Sequence, residues 1–237
     1  MRSAQFKHIN DQHLGQIADS FSQTWPQGTS YNLEDVRDFV QRRLQRIDPV
    51  RFAWGHFTSI QNILDHFLAA KCPITLSSMY CPNNHTANID ERSASTCQIT
   101  ILRQYQTIQT FINNQTIECA SSCQTCHSHL IRKHVFTHPP PILAFDMSQN
   151  RTLLLESLVL TTVNGHQTTY KLRGVVYYFE DHFTSRFITE TGSVWYHDGL
   201  LTRQGMESEG NINLTDFSKC RSGLPTCAIY VIHSTPS

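Results

Sequence analysis

The sequence predicts an α+β protein with its helices in the first third and an antiparallel sheet in the last, and three observations carry that prediction. From Leu33 to Ile47 and from Ile60 to Leu68, apolar residues recur at three- and four-residue steps, the period of a helix with one buried face. After Pro139-Pro140-Pro141 the texture changes to short β-branched and aromatic runs separated by Asn-Gly and other glycine-containing turns, which is strand patterning. Between them, Cys72 to His138 is rich in Cys, His, Thr, Ser and Asn and reads as a cysteine-bounded insert. One domain is expected, in three parts: residues 1–71 helical, 72–138 the insert and 139–237 the sheet.

In the first helix Leu33, Val36, Val40, Leu44 and Ile47 form the buried stripe, with Arg37, Gln41, Arg42 and Arg43 between them. Asn32 suits its N-cap and Pro49 its stop. In the second, Ser59 can cap a stripe of Ile60, Ile63, Leu64, Phe67 and Leu68, and both stripes predict packing rather than binding faces. The insert holds two alternating runs, Cys97–Leu102 and Thr107–Ile112. Six strands are predicted beyond it: Ile142–Met147, Leu153–Thr162, Thr169–Phe179, Phe183–Thr189, Val194–Tyr196 and Ala228–His233.

Composition bounds the function. The 237 residues are 39% hydrophobic and 16% charged, with 19 basic against 19 acidic groups. A chain of this length can bury about 70% of the surface it exposes when unfolded. A phosphate-binding surface needs a basic excess or a basic run, so no nucleic-acid partner is expected. No stretch approaches the length of a transmembrane helix, and MRSAQFKHINDQHLGQ lacks the apolar core of a signal peptide. The expectation is a soluble intracellular chain without a membrane partner.

Eight Cys and thirteen His then need a purpose. Four glycosylation triplets, at Asn84, Asn114, Asn150 and Asn213, would suit a secreted disulfide protein. Without a secretory address, clustered cysteines point instead to reduced thiols and to metal or catalytic chemistry. Cys81-Pro-Asn-Asn-His85 and Cys123-Gln-Thr-Cys126 each have the spacing that lets two ligands reach one ion from a tight turn. Cys81, His85, Cys123 and Cys126 therefore make a candidate structural zinc site, predicted to tie the tips of the two alternating runs together. Asn84 stands where a second cysteine would complete a cleaner motif, and Cys119, His127 and His129 are alternative ligands for the second half.

Residues 170–198 contain a strand Tyr-Lys-Leu-Arg-Gly-Val-Val, a turn ending in His182-Phe-Thr, a second strand and then Gly-Ser-Val-Trp-Tyr-His-Asp198. With the late run Cys-Ala-Ile-Tyr-Val-Ile, this order resembles the C-terminal half of ubiquitin-specific proteases. Upstream, Phe57-Thr-Ser-Ile-Gln-Asn-Ile-Leu-Asp-His-Phe-Leu68 is similar to that family's Gln-Asp-Ala-x-Glu-Phe helix, and Pro141–Asp146 takes the place of the strand leaving the fingers for the palm. The resemblance, an ordered series of short matches over residues ~50–233, implies a papain-like cysteine isopeptidase fold with a helical thumb remnant, an antiparallel palm sheet and a zinc-bearing fingers insert. It implies ubiquitin or a ubiquitin-like protein as partner, with SUMO open because His-Phe-Thr and Trp-Tyr-His-Asp-Gly are similar to the SUMO-acting branch. By position, His182 takes the role of general base and Asp198 that of its orienting acid; Glu180 and Asp181 are competitors that strand geometry turns away.

A thiol near pKa 8.5 needs a neighbouring imidazole to hold it as thiolate, and a carboxylate on the far ring nitrogen fixes the imidazole's tautomer. The family's nucleophile lies in an Asn-x-Gly-x-x-Cys-Tyr box upstream of the Gln-Asp helix, and this chain has none. Cys72 follows both predicted helices, the wrong order for that role. The expectation is a deubiquitinase-like domain that is inactive as it stands, the thiol lying before Met1 or lost. The alternatives are a non-catalytic module that binds a ubiquitin-like modifier and an unrelated zinc-binding interaction protein.

Overall fold

The structure, a computed structural model, describes residues 33–54, 58–68, 73–85, 92–94, 98–101, 106–114, 116–148, 150–202 and 205–233. Helix α1 (Leu33–Ile47) and helix α2 (Ile60–Phe67) fall where the apolar period places them. Ser59 caps α2 by accepting from the Asn62 amide at 3.2 Å, and the Leu68 amide closes its end on the Leu64 carbonyl. Leu44 is buried as expected, whereas Ile47, the last residue of α1, is half exposed. Asn32, the expected cap of α1, lies outside the described residues, as do Cys72 and Cys97.

The chain continues through β1 (Thr75–Tyr80), β2 (Arg92–Ala94), β3 (Gln98–Thr100), α3 (Ile108–Asn113), β4 (Thr116–Ser122) and β5 (His129–Phe136). Then come β6 (Ile142–Asp146), β7 (Ser157–Thr161), β8 (Gln167–Phe179), β9 (His182–Ile188), β10 (Ser193–Asp198), β11 (Glu207–Asn211) and β12 (Leu224–Ile232). Two sheets form: a small antiparallel one in the order β2-β1-β5-β4, and a large one in the order β11-β10-β9-β8-β12-β6-β3. In the large sheet β8 carries β12 along one edge, while β7 and then β9 share the other.

Several expectations need correction. Thr107–Ile112 is not a strand run but the start of α3: Ile108, Phe111 and Ile112 are buried at steps of three and four, and Thr107 Oγ1 caps the helix by accepting from the Thr110 amide at 3.0 Å. A six-residue stretch fits either period, and the packing of Ile108, Phe111 and Ile112 into the large core selects the helix that Thr107 then caps. The other run contributes β3, which joins the large sheet parallel to β6, so the sheet is not wholly antiparallel. With Ile101, Ile108, Phe111 and Ile112 in the large core, part of the 72–138 segment belongs to the main body. The strand expected from Leu153 begins only at Ser157; β1, β2, β4, β5 and β11 were not expected as strands at all.

Four tyrosines fill the large core without exposure: Tyr170, Tyr177, Tyr196 and Tyr230. A buried phenol needs a partner, and each has one: Tyr170 donates to the Pro140 carbonyl, Tyr230 to that of Leu155, Tyr196 to Asp198, while Tyr177 accepts from Arg186. Arg186 on β9 is itself buried. It pairs with Glu209 of β11 and donates to the Asp216 and Lys219 carbonyls at 2.8 and 2.9 Å, fastening the 212–220 connection to the sheet. Burial opposes its charge, but the Glu209 hydrogen bond together with the interactions with Tyr177 and Cys220 outweighs that and keeps its pKa above the ordinary value.

Candidate functional site

The metal ligands come from the open ends of the small sheet. Cys81 follows β1 directly, and His85 lies four residues on, past a turn closed by the Asn84 amide on the Cys81 carbonyl at 3.0 Å. Asn84 has φ 57°, a left-handed conformation that asparagine tolerates far better than most residues; its place in the motif is thus a turn requirement. Cys123 and Cys126 lie in the β4–β5 turn, closed by the Cys123 amide on the Ser128 carbonyl and the His127 amide on the Cys123 carbonyl.

The four ligand atoms lie within 4.8 Å of one another. Cys81 Sγ is 3.4 Å from Cys126 Sγ and 3.7 Å from His85 Nδ1, and Cys123 Sγ is 3.9 Å from the same nitrogen. A tetrahedral zinc ion with ordinary bond lengths demands edges of about 3.8 Å between sulfurs and about 3.5 Å from sulfur to nitrogen. The cluster fits a structural Cys3His zinc site. Asn83 Nδ2 donates to Cys126 Sγ at 3.4 Å and to Ser128 Oγ at 3.2 Å. The bond from Asn83 is the main reason the Cys126 thiol is drawn down to about 5, while burial pushes the Cys81 thiol up. The set ties the end of β1 to the β4–β5 turn rather than joining the two alternating runs, since one of those is α3 and the other a strand of the large sheet. Cys119, His127 and His129 stand outside it. Asn83 was missed, though its place within Cys-Pro-Asn-Asn-His was a signal, because a thiolate rewards a nearby amide donor.

The second site is at the end of β9 and β10. Phe179 and His182 pair across a two-residue turn in which Glu180 and Asp181 have φ of 45° and 61°, the paired positive values of a type I′ hairpin. Thr184 faces Asp198 in the β9–β10 register, so His182, two residues along, shares that face and reaches Asp198 diagonally. His182 Nε2 is 2.9 Å from Asp198 Oδ1. The same oxygen accepts from the Leu200 and Leu201 amides at 2.8 and 3.1 Å, and Oδ2 accepts from the Tyr196 hydroxyl at 3.0 Å. Burial would raise the Asp198 carboxyl, but these bonds prevail and hold it at about 2, so it is ionised at neutral pH. Its side chain is 5% exposed, that of His182 34%.

Asp181 is engaged elsewhere, accepting from the Tyr178 hydroxyl at 2.7 Å. No cysteine among the described residues hydrogen-bonds to His182. Tyr196 and the Leu200–Leu201 amides were missed by sequence reasoning; a tyrosine two residues before Asp198 on the same strand face was the available signal for the first. Beside this end of the sheet, the start of α2 and the β8–β9 hairpin border an open cleft of about 400 Å³ lined by Ser59, Ile60, Asp146, Tyr178, Asp181 and Phe183.

No family model matches the chain, and no curated protein matches it. Solved structures do. A chain of the SAGA DUB module bound to monoubiquitin is similar with a TM-score of 0.53 at 11% identity, over 81% of this chain and 52% of that one. A chain of the SAGA Ubp8/Sgf11/Sus1/Sgf73 DUB module bound to ubiquitin aldehyde gives 0.54 at 11% identity with the same coverage, and one of the yeast SAGA DUB module gives 0.51 at 10% over 76% and 47%. The protein thus shares the α+β fold of a DUB-module chain and spans about half the length of the chains it resembles. Among the described residues no helix is long and apolar enough to cross a membrane.

Proposed function

We propose that this chain is a non-catalytic, zinc-stiffened module that binds ubiquitin or a ubiquitin-like protein inside the cell. The observation that carries the reading is the fold likeness to chains from modules solved with monoubiquitin and with ubiquitin aldehyde, joined to a Cys3His donor set that would hold the small sheet rigid. The small sheet corresponds to fingers and the large one to a palm, two surfaces that together would cradle a globular modifier. His182, without a hydrogen-bonded thiol among the described residues, then serves the binding surface and no bond is broken.

One observation favours a second reading. The 2.9 Å contact between His182 and Asp198 is the base-and-orienter half of a cysteine-protease triad. Asp198 holds Nε2, which leaves Nδ1 to face a nucleophile, and with a thiol there the imidazole would take its proton and form the thiolate–imidazolium pair. In this reading the chain carries the palm of a cysteine isopeptidase and lacks activity by itself.

Titration calorimetry of the full chain against monoubiquitin and against SUMO tests the first reading. Saturable binding of one of them is expected, and no heat with either refutes it. Electrophilic ubiquitin and SUMO probes separate the two readings: the chain should stay unlabelled, and an adduct at Cys72 would overturn the non-catalytic reading.

A further inference from the structure

The connection between β6 and β7 borders a second cavity of about 530 Å³, which also meets the start of β12, a size within the range of clefts that take small ligands and short peptide segments. Met147, Leu154 and Pro225 give it an apolar floor, Arg151 and Lys219 also line it, and none of the described residues lining it is acidic. Among the described residues neither cation makes a side-chain hydrogen bond or ion pair. The Lys219 charge is felt at Asp216, whose Oδ1 already accepts from the Ser218 amide at 2.8 Å. In the same lining Thr152 is 6% exposed, and its buried hydroxyl has no hydrogen-bond partner.

Buried polar groups are normally satisfied, and an exception calls for an explanation. Here the residue that carries the unpartnered hydroxyl lines one cleft with an apolar floor and two cations that make no ion pair among the described residues. Such a cleft suits an anionic group carried on something partly apolar, because guanidinium and ammonium groups bond a carboxylate strongly while the floor gains from covering. We propose that this cleft binds an acidic peptide segment, with a glutamate or aspartate side chain between Arg151 and Lys219 and a neighbouring aliphatic side chain on Met147, Leu154 and Pro225. Nucleic acid fits poorly, since two cations neutralise about two phosphates on a chain of zero net charge. A free anion would leave the floor uncovered.

Tyr178 lines both this cleft and the one beside α2, so the peptide would lie on the far side of that ring from the latter. The inference goes beyond modifier binding and does not depend on it. The test is fluorescence anisotropy on the full chain with a labelled hexapeptide of Glu, Leu and Gly, and with its counterpart carrying Gln for Glu. The Glu peptide should bind, weaken as salt is raised, and bind on the order of tenfold more tightly than the Gln peptide. Arg151→Glu with Lys219→Glu should abolish binding, and the melting temperature should change little, because among the described residues neither side chain makes a hydrogen bond or ion pair within the fold. Equal binding of the Glu and Gln peptides, or undiminished binding by the charge-reversed variant, overturns the proposal. So does equimolar competition by inorganic phosphate, which would make the cleft a simple anion site. A parallel ubiquitin and SUMO titration of the charge-reversed variant keeps the two readings apart.

Discussion

Removing zinc should unfold the tip of the small sheet and leave the large sheet intact. The two ligand loops, 81–85 and 123–128, comprise eleven residues, and ordering them costs about 16 kcal/mol at about 1.5 kcal/mol per residue. The local core is Cys81, Cys123 and Leu130, with Cys119 and Cys126 against it. Burial of its single aliphatic side chain, Leu130, returns about 2 kcal/mol. A structural zinc ion supplies about 13 kcal/mol, which is the missing amount. The large sheet, by contrast, rests on a separate cluster running from Leu68 to Tyr230 and needs no metal. Hydrogen exchange with and without a chelator reads this directly. The Asn84, Cys123 and His127 amides, bonded across the two ligand turns, should lose protection, while the β8 and β12 amides keep theirs. Cys126→Ser should reproduce the pattern, and metal analysis should find about one zinc per chain in the parent protein. Unchanged protection of the turn amides after chelation would refute the reasoning, and simultaneous loss across β8 and β12 would show that the two sheets do not depend on separate cores.

Asp198 makes a pH prediction with a definite sign. Its folded pKa of about 2 lies below the ordinary 3.8, so its stabilisation is complete above the unfolded value and disappears as pH falls through 3.8 toward 2. At about 1.4 kcal/mol per unit this is about 2 kcal/mol. Denaturant midpoints should show the gap between the parent and Asp198→Asn shrinking from pH 6 to pH 2; a gap that stays constant would sink the assignment. Arg186→Ala should cost about 1–3 kcal/mol in chemical unfolding, because the buried Tyr177 hydroxyl and the Asp216 and Lys219 carbonyls lose a charged donor. Arg186→Lys should recover only part, because one ammonium cannot span Glu209 and two carbonyls, and full recovery would argue against the fork geometry.

The readings that succeeded were local ones. The steps of three and four in α1 and α2, the Ser59 cap and the alternation of β8 and β9 are set by residues within a turn or two of one another. The zinc ligands were legible for the same reason, as each pair sits in one short turn. Thr107–Ile112 failed because six residues satisfy both periods and the helix is chosen by what it packs on. The small sheet was hidden because its strands are polar: β4 reads Thr-Ile-Glu-Cys-Ala-Ser-Ser, and only β5 beside it makes it a strand.

The amino-acid order by itself determined which residues could do chemistry, namely four metal-ligand side chains at turn spacing and a histidine at the mouth of a hairpin. It did so because ligand spacing and hairpin turns are short-range properties. Only the tertiary structure decided which of these groups meet. Cys81 and Cys126 are 45 residues apart and come to 3.4 Å because β1 and β5 pair antiparallel, and Asp198 reaches His182 because β9 and β10 do. The cleft at Thr152, Arg151 and Lys219 likewise exists only where the connection after β6 meets the start of β12. Such meetings follow from strand register across the whole sheet, where a shift of one residue turns every side chain to the other face.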